Sequence, residues 1–281
     1  MKHPEKWRET INPFSLKFNK FILKEIIGYP HAGNDVFQAK GIFEEKETEV
    51  FIKVKRQLGA DIFNEIKTIN LLNLPITPEI IDFGNEPIDF IVTKAKTGER
   101  LSTILNENSK FSSLEFLFEY GQTLAKLHLN KESFDKVKER KFFNIPEKSY
   151  FDENNLEFVY KYLILNKPKN INYCFCHGDF HYANILWNKK HISAILDFEL
   201  SGIGNKEFDI AWAIILRPEQ KFLKTDEELN LFFSGYKSIN SFNLEYVKYY
   251  MILIYSYFYN FQSNSNEYKS FILNFFKKNC I

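Results

Sequence analysis

The sequence lacks the features that would assign it to several large classes of protein. Its 281 residues include only three cysteines and carry a formal net charge of +1. So small a charge gives no electrostatic footprint for nucleic acid or an anionic membrane. The longest apolar stretch, 249–261, is too short to span a bilayer and is interrupted by Ser256 and Asn260. We therefore expect no nucleic-acid partner and no membrane partner.

Common nucleotide-binding and targeting motifs are missing as well. No G-x-x-x-x-G-K-[ST] occurs, which argues against a P-loop enzyme. No G-x-G-x-x-G occurs either, which departs from the protein-kinase pattern. The HRD and APE segments of protein kinases are absent, and the one Asp-Phe-Gly string, at 82–84, has no HRD segment ahead of it, as a protein kinase requires. The charged N-terminus has no apolar secretory core, which predicts a cytoplasmic location. Cys174 and Cys176 lie two residues apart, so a strand would place both thiols on one face as small buried groups rather than in a zinc site.

The most informative segment joins three polar residues to a predicted hairpin. Asp179 precedes Asn184, and Asp197 follows the second of two apolar runs, 185–187 and 191–196, that a turn-like stretch separates. This pattern predicts a β-hairpin, whose antiparallel pairing would bring Asn184 and Asp197 together. Their oxygens suit Mg²⁺, which fills its other positions with water and phosphate. Asn184 and Asp197 are the predicted metal ligands, and Asp179 would accept or orient the proton of a substrate hydroxyl.

This segment reads HGDFHYANILW followed by AILDFE, and it resembles the aminoglycoside phosphotransferase and choline kinase family. The match is specific because it joins several separated residues. The resemblance implies an α+β, two-lobed protein-kinase-like fold, with an N-terminal antiparallel sheet lobe that carries one helix and a mainly helical C-terminal lobe. It also implies that Asp179 is the catalytic aspartate, that His177 braces its loop, and that Asn184 and Asp197 bind Mg²⁺.

The small lobe of such a fold must supply a lysine on its third strand and a glutamate on the next helix. The strand-like run 50–55 contains Lys53, with Lys55 as the alternative because it has the same side-chain parity. The helical pattern that begins at Asp61 contains Glu65. By resemblance, Lys53 grips the nucleotide phosphates and Glu65 positions Lys53. Each residue alone would be an ordinary surface charge, so their joint occurrence carries the interpretation.

Two further segments are implied to contact the nucleotide. The loop between the first two predicted strands contains Gly33 and Asn34, which tolerate positive φ and would let backbone amides approach phosphate. Residues 94–99 are the implied hinge, where the backbone at Lys94 and Lys96 would bond the adenine edge. ATP and Mg²⁺ are the implied cofactors, and GTP stays open as an alternative donor.

The residue pattern also predicts the division of the chain. Periodicity predicts a helix at 61–73, capping boxes at 112–115 and 225–228, and strands at 21–27, 36–43, 49–55, 79–83 and 88–93. We expect a nucleotide-binding lobe at 1–93, the hinge at 94–99, and a catalytic and acceptor-binding lobe at 100–281. In the last of these, Asp209 resembles the family's structural aspartate and is predicted to be a buried brace for the catalytic loop.

The predicted function is transfer of the ATP γ-phosphate to a hydroxyl of a small molecule. By resemblance the leading acceptor is an aminoglycoside antibiotic, which would make the protein a resistance kinase. Glu199 completes an Asp-Phe-Glu form typical of choline kinase-like members, and it keeps choline, homoserine, thiamine or another amino alcohol as alternatives. A macrolide is a further alternative. A kinase-shaped binding module without catalysis belongs to a different class, and the joint presence of Lys53, Glu65 and Asp179 disfavours it.

Overall fold

The computed structural model describes residues 11–30, 33–106, 109–130, 137–140, 142–171, 173–261 and 264–281. In chain order, its strands and helices are β1 (Ile22–Gly28), β2 (Asp35–Phe43), β3 (Lys46–Val54), α1 (Ile62–Leu72), β4 (Ile80–Gly84), β5 (Phe90–Lys94), β6 (Glu99–Arg100), α2 (Leu101–Ile104), α3 (Leu114–His128), α4 (Lys148–Glu153), α5 (Glu157–Leu165), β7 (Tyr173–Cys176), β8 (Ile185–Asn188), β9 (His191–Ile195), β10 (Gly202–Asn205), α6 (Lys206–Ile214), α7 (Asp226–Lys237), α8 (Leu244–Tyr259) and α9 (Asn266–Cys280).

The chain divides into two compact units, each made of two segments. The first unit comprises Met1–Glu99 and Asn184–Ser201, and the second comprises Arg100–Ala183 and Gly202–Ile281. The predicted metal ligands, Asn184 and Asp197, therefore belong to the same unit as Lys53, which a division of the sequence near residue 99 does not reveal.

The first unit is built on a five-stranded antiparallel sheet in the order β1-β2-β3-β5-β4. Strand side chains alternate between the two faces of a sheet. On β3, Val50, Ile52 and Val54 are fully buried, and Lys53 projects from the opposite face. Because β2 and β5 pair with β3 on either side, the backbone of Lys53 is held by a hydrogen-bonded ladder at both edges.

Helix α1 carries the predicted glutamate and begins where the sequence predicts. The Asp61 side chain caps it by accepting a hydrogen bond from the Asn64 amide at 3.1 Å. Ile66 and Ile69 are buried on its apolar face. Asn73 adopts a left-handed conformation with φ of 41° and ends the helix, so it does not extend that face.

The predicted hairpin is confirmed as β8 and β9. Ile185 pairs with Ile195, and the next bond outward runs from the Leu196 amide to the Asn184 carbonyl at 2.8 Å. Asn184 and Asp197 therefore lie at the same end of the hairpin, as antiparallel pairing predicts.

The second unit is mainly helical, and among the described residues its most extensive helix contact is between α3 and α7. These helices approach each other through glycines, because a Cβ atom at Gly121 would lie 2.0 Å from the Phe232 carbonyl oxygen and one at Gly235 would lie 1.9 Å from the Phe118 carbonyl oxygen. Any larger side chain at either glycine would push the helices apart.

The two predicted capping boxes have different outcomes. The box at the start of α7 is confirmed, because Thr225 and Glu228 each bond the backbone of the other. The box at 112–115 is half formed. Glu115 accepts from the Ser112 amide at 2.9 Å, but α3 starts one residue later, after Ser113, whose side chain makes no capping bond.

A short antiparallel pair, β7 with β10, leads into the functional segments of the second unit. β7 ends at Cys176, directly before His177, and β10 ends at Asn205, which caps α6 by accepting a bond from the Glu207 amide. The fold is therefore the predicted mixture of an antiparallel sheet and helices. No helix among the described residues is both long and apolar enough to cross a membrane.

Candidate active site

Lys53 of the first unit makes three ion pairs. Its Nζ lies 2.8 Å from Glu65 Oε2, 2.6 Å from Asp197 Oδ1 and 2.8 Å from Glu199 Oε2. Lys55, the alternative in the sequence, pairs instead with Asp89 at 3.2 Å. Lys53 is therefore the lysine that contacts Glu65, Asp197 and Glu199. We call these four residues the Lys53 cluster.

Burial sharpens the electrostatics of this cluster. Only 12% of the Lys53 side chain and 6% of the Glu65 side chain are exposed. Burial alone would lower the pKa of Lys53, but Glu65, Asp197 and Glu199 prevail and raise it above its ordinary value. Burial raises the pKa of Glu65, as do the negative charges of Asp197 and Glu199, while Lys53 acts in the opposite direction. The lysine is thus held as a fixed cation.

Helix α1 fixes the segment that carries Asp197 and Glu199. Glu65 Oε1 accepts a hydrogen bond from the Phe198 amide at 3.3 Å. The Asn64 side chain donates to the carbonyls of Glu199 and Ser201, at 3.0 and 2.9 Å. Asp197 itself has a left-handed backbone with φ of 66°, a conformation that aspartate tolerates better than most residues. The direction of its side chain is therefore set by the backbone as well as by Lys53.

The donors of the cluster fit a hard divalent cation. Glu65, Asp197 and Glu199 each offer an oxygen, and the three oxygens lie within 4.8 Å of one another. Three carboxylates against one ammonium leave an excess of negative charge. Oxygen donors with spare negative charge are what Mg²⁺ requires of a protein. Asp197 would hold the ion, with Asn184 at the same end of the hairpin and Glu199 as a further oxygen donor that the sequence did not assign to the metal.

The predicted nucleotide loop contributes to the cluster through a side chain. Asn34 is buried, donates to Glu199 Oε2 at 2.7 Å and accepts from the Arg56 amide at 3.2 Å. Gly33 has a φ of 82°, the left-handed conformation for which glycine is suited. Residues 31 and 32, part of the same predicted loop, lie outside the described residues. The side-chain role of Asn34 was not foreseen, because the sequence analysis considered only backbone amides here.

The two lysines of the predicted hinge lie apart from the Lys53 cluster. Lys94 ends β5, and its amide donates to the Glu79 carbonyl at 2.9 Å. Its ammonium lies 3.4 Å from the Glu79 carboxylate. Lys96 donates to the Pro75 carbonyl at 2.9 Å. The Lys94 amide is thus already bonded within the sheet.

Asp179 of the second unit sits among hydrogen-bond donors. Its Oδ1 accepts from Trp212 Nε1 at 2.7 Å and lies 3.4 Å from His181 Nε2. Its amide donates to His177 Nδ1 at 3.2 Å. Burial alone would raise the pKa of Asp179, but His181, His177 and Trp212 together hold it below its ordinary value. Asp179 is therefore an oriented carboxylate that stays ionised.

Asp209 is the buried brace that the sequence predicts. Its side chain is inaccessible, and its two oxygens accept from the amides of His177 at 2.6 Å and Gly178 at 2.9 Å. His128 Nε2 lies 3.3 Å from the same carboxylate, and its Nδ1 is 2.7 Å from the Tyr236 hydroxyl. One buried carboxylate therefore fixes the backbone that leads to Asp179.

The cysteine pair lies beside this brace. The sulfurs of Cys174 and Cys176 are 3.9 Å apart, on one face of β7 as strand parity predicts. With His128 they form a group of potential metal ligands within 4.8 Å of one another. Both nitrogens of His128 are already hydrogen-bonded, and structural zinc sites use four ligands. The described residues therefore favour a packing role for the cysteines.

Sequence analysis missed three residues, His181, Trp212 and Arg217, that lie near Asp179. Trp212 donates directly to its carboxylate, and the Arg217 guanidinium carbon lies 5.0 Å from the centre of the Trp212 ring. The only signal for Trp212 in the sequence is its position three residues after Asp209, in the segment that resembles the family's structural aspartate segment. Arg217 belongs to no motif, so the sequence carried no signal for it.

Comparison with known proteins identifies the family of this chain. A family model described as the phosphotransferase enzyme family matches residues 61–237, more than half of the chain. The chain belongs to this family. It is therefore a small-molecule phosphotransferase. A comparison with curated protein sequences finds no significant match.

Solved structures share the fold of this phosphotransferase. A spectinomycin phosphotransferase in complex with ADP and spectinomycin is 17% identical, with a TM-score of 0.56, and the match covers 94% of this chain and 90% of that one. A choline kinase from Streptococcus pneumoniae is 14% identical with a TM-score of 0.61, over 93% and 94% of the two chains. A macrolide 2'-phosphotransferase from Brachybacterium faecium is 12% identical with a TM-score of 0.54, over 93% and 92%. The predicted kinase-like fold is thereby confirmed, and the diversity of these relatives leaves the acceptor undetermined.

Proposed function

We propose that this phosphotransferase moves the γ-phosphate of ATP to a hydroxyl of a small molecule and that it requires Mg²⁺. The observation that carries the proposal is the Lys53 cluster, in which one ammonium is fixed by carboxylates from α1 and from the segment after β9. Nucleotide-bound relatives support ATP as the donor, since one was solved with ADP. GTP remains an alternative donor.

We assign each residue the role that the family resemblance implies. Lys53 would bind the phosphates, and Glu65 would hold Lys53 in place. Asn184 and Asp197 would hold Mg²⁺, which neutralises phosphate charge when bound. Gly33 and Asn34 would serve the phosphate loop. The segment at Lys94 and Lys96 would bond the adenine edge through backbone groups other than the Lys94 amide, which the Glu79 carbonyl already accepts.

Asp179 would orient the acceptor. The acceptor oxygen bonds to the γ-phosphorus while the bond from that phosphorus to the oxygen of the ADP leaving group breaks, and the hydroxyl proton passes to the Asp179 carboxylate. Trp212 and His181 fix that carboxylate and keep it ionised, so it can accept the proton.

The acceptor is a separate question. By family resemblance the leading acceptor is an aminoglycoside, and the alternatives are choline, homoserine, thiamine, another amino alcohol or a macrolide. Relatives of similar fold act on spectinomycin, choline and macrolides according to their descriptions. These acceptors differ in charge, so the charged residues near Asp179 bear on which of them the protein binds.

The test combines nucleotide binding with turnover. We expect ATP to raise the melting temperature in Mg²⁺ and to do so much less in EDTA, because a ligand that binds only the folded state stabilises it. ADP formation should then be stimulated by at least one hydroxylated compound in a screen that includes aminoglycosides, macrolides and choline, with GTP run in parallel. Absence of both nucleotide binding and stimulated ADP formation would rule out the proposed function.

A further inference from the structure

Arg217 is a charged side chain of the second unit that the proposed reaction does not use. It lies three residues after the end of α6 and is only partly exposed. Its Nη2 donates to the Trp212 carbonyl at 3.0 Å, and its Nη1 lies at a long 3.4 Å from the Ile215 carbonyl. Among the described residues, no carboxylate lies within ion-pair distance of it. A guanidinium has more N–H donors than these two bonds use, so part of its fork has no protein acceptor in this part of the chain.

Aromatic rings frame the guanidinium. The guanidinium carbon is 5.0 Å from the centre of the Trp212 ring and 5.9 Å from that of Tyr182. Tyr182 in turn packs edge-on against Phe222, with ring centres 5.0 Å apart. An arginine that lies over an indole and a phenol already occupies the aromatic surface that a quaternary ammonium would seek.

The loop that carries Arg217 is held rigidly. The Leu216 amide donates to the Tyr255 hydroxyl at 2.8 Å, and the Leu216 carbonyl accepts from the Tyr268 hydroxyl at 2.7 Å. The Arg217 amide lies 3.3 Å from Gln220 Oε1. Both tyrosines are buried. The backbone on which the guanidinium depends is therefore fixed before any ligand binds, which lowers the entropic cost of binding.

Trp212 links this cation to the predicted catalytic residue. Its indole N–H donates to Asp179 Oδ1 at 2.7 Å, and Arg217 lies over its ring. Burial lowers the pKa of Arg217, while Asp179 and nearby tyrosines act in the opposite direction. One cation, Arg217, thus lies over the ring whose N–H is bonded to the Asp179 carboxylate. Arg217 would repel a cationic group placed against it and favour an acceptor that brings negative charge to that position.

We propose that Arg217 binds an oxyanion of the acceptor, so that this phosphotransferase acts on an acidic alcohol whose carboxylate or phosphate lies near the reacting hydroxyl. A guanidinium fork matches both oxyanions with two parallel hydrogen bonds. This inference rests on the proposed function, because it assigns the acceptor of the same reaction. The competing interpretation is that Arg217 only caps the last carbonyls of α6.

The experiment measures ADP formation with acceptors matched in skeleton but different in charge. One set is glycerol, D-glycerate and glycerol 3-phosphate, and a second is D-glucose, D-gluconate and glucose 6-phosphate. Spectinomycin, kanamycin and choline represent cations. Wild-type protein is compared with Arg217→Gln, Arg217→Lys and the control Arg140→Gln, which removes a half-buried arginine of the same unit. Melting temperatures are recorded for all four.

We expect an anionic member of a set to exceed its neutral partner in kcat/KM by about tenfold or more, as a charged bidentate contact implies. Arg217→Gln should erase that preference mainly through KM, because a contact made to the ground state and the transition state alike acts on KM. Arg217→Lys should retain part of it, and Arg140→Gln all of it. The carboxylate and phosphate members show which oxyanion is preferred.

Three outcomes would overturn the inference. The first is that no anionic compound is phosphorylated while Mg²⁺ and ATP still raise the melting temperature, which leaves the proposed function standing. The second is that Arg217→Gln lowers turnover of anionic and neutral acceptors equally, together with the melting temperature, as a helix cap would. The third is that the wild-type protein neither binds nucleotide nor forms ADP with any acceptor, which would overturn the proposed function as well.

Discussion

The two units hold their central charged residues in opposite surroundings. In the first unit, the Lys53 ammonium is surrounded by carboxylates of Glu65, Asp197 and Glu199. In the second unit, the Asp179 carboxylate is surrounded by donors, with the Trp212 indole bonded to it and Arg217 over the same ring. The first group has negative charge to spare, and the second has a guanidinium whose N–H groups outnumber its two backbone acceptors.

This difference indicates what each group lacks. A buried ammonium bonded to several carboxylates is stable as it stands, but the surplus carboxylate oxygens gain most from a further cation. A partly buried guanidinium with no carboxylate partner among the described residues gains most from an anion. Electrostatics alone therefore predicts a metal cation for the first unit and an acidic ligand for the second.

The largest effect should come from removing the cation of the first unit. Lys53→Met leaves Glu65, Asp197 and Glu199 without their shared partner, so we expect the free energy of unfolding to fall by about 3 to 5 kcal/mol. Turnover should fall at least about a hundredfold, because the variant lacks the ammonium that would bind the nucleotide phosphates. Chemical denaturation and ADP formation measure the two effects. Lys46→Met, at an exposed position of the same strand, is the control and should leave both unchanged.

If Mg²⁺ raised the melting temperature of Lys53→Met no more than that of the wild type, the surplus of negative charge in the Lys53 cluster would not govern metal binding. We expect the opposite, because the variant carries one positive charge less.

Removing the charge of Asp179 should affect turnover without affecting the first unit. Asp179→Asn keeps an oxygen for Trp212 but cannot accept a proton, so we expect kcat to fall on the order of a thousandfold. Stabilisation by ATP and Mg²⁺ should stay near that of the wild type, since the Asp179 contact strengthens mainly in the transition state. Single-turnover kinetics and thermal shifts measure these outcomes, and near-normal kcat would exclude Asp179 from the chemistry.

The brace beneath Asp179 should matter for folding before it matters for catalysis. Asp209→Ala orphans the buried amides of His177 and Gly178, each at a cost of about 1 to 3 kcal/mol. Folded yield and denaturation midpoint should both decrease. Asp152→Ala removes an exposed pair with Lys148 and should cost at most about 1 kcal/mol. Wild-type stability with lost turnover in Asp209→Ala would instead make Asp209 part of the catalytic set.

The smallest expected effect sharpens the role of Glu199. Glu199→Gln keeps a side chain that can bond Asn34 but removes one negative charge from the Lys53 cluster. We expect the Mg²⁺ concentration for half-maximal turnover to rise about tenfold, as for an outer ligand of a metal site. Glu47→Gln, exposed on β3, is the matched control. An unchanged Mg²⁺ requirement would restrict Glu199 to positioning Lys53.

Much of the first unit could be predicted from sequence because its signals are local and periodic. Strand parity separates Lys53 from its buried neighbours but not from Lys55, and the family resemblance is what marks Lys53 and Glu65. Hairpin geometry joins Asn184 to Asp197. The bonds from Glu199 to both Lys53 and Asn34 could not be predicted, because they join segments far apart in sequence. They form where the segment after β9 meets β3 and the residue before β2.

The acceptor side was less predictable for a physical reason. Arg217 makes its contacts with backbone carbonyls and aromatic rings, which leave no pattern in the residue types around it. The half-formed capping box at α3 has a similar cause, since Glu115 bonds Ser112 while the helix starts after Ser113. Such details depend on neighbours that a sequence pattern does not identify.

The two-segment makeup of the first unit has a consequence for synthesis on the ribosome. Lys53 and Glu65 are made early, but two of the carboxylates that neutralise Lys53 belong to Asn184–Ser201. At typical translation rates, the interval between Glu99 and Ser201 lasts roughly 5 to 20 seconds. For most of that interval the nascent first unit lacks β8 and β9, so it cannot finish folding before much of the second unit has been synthesised.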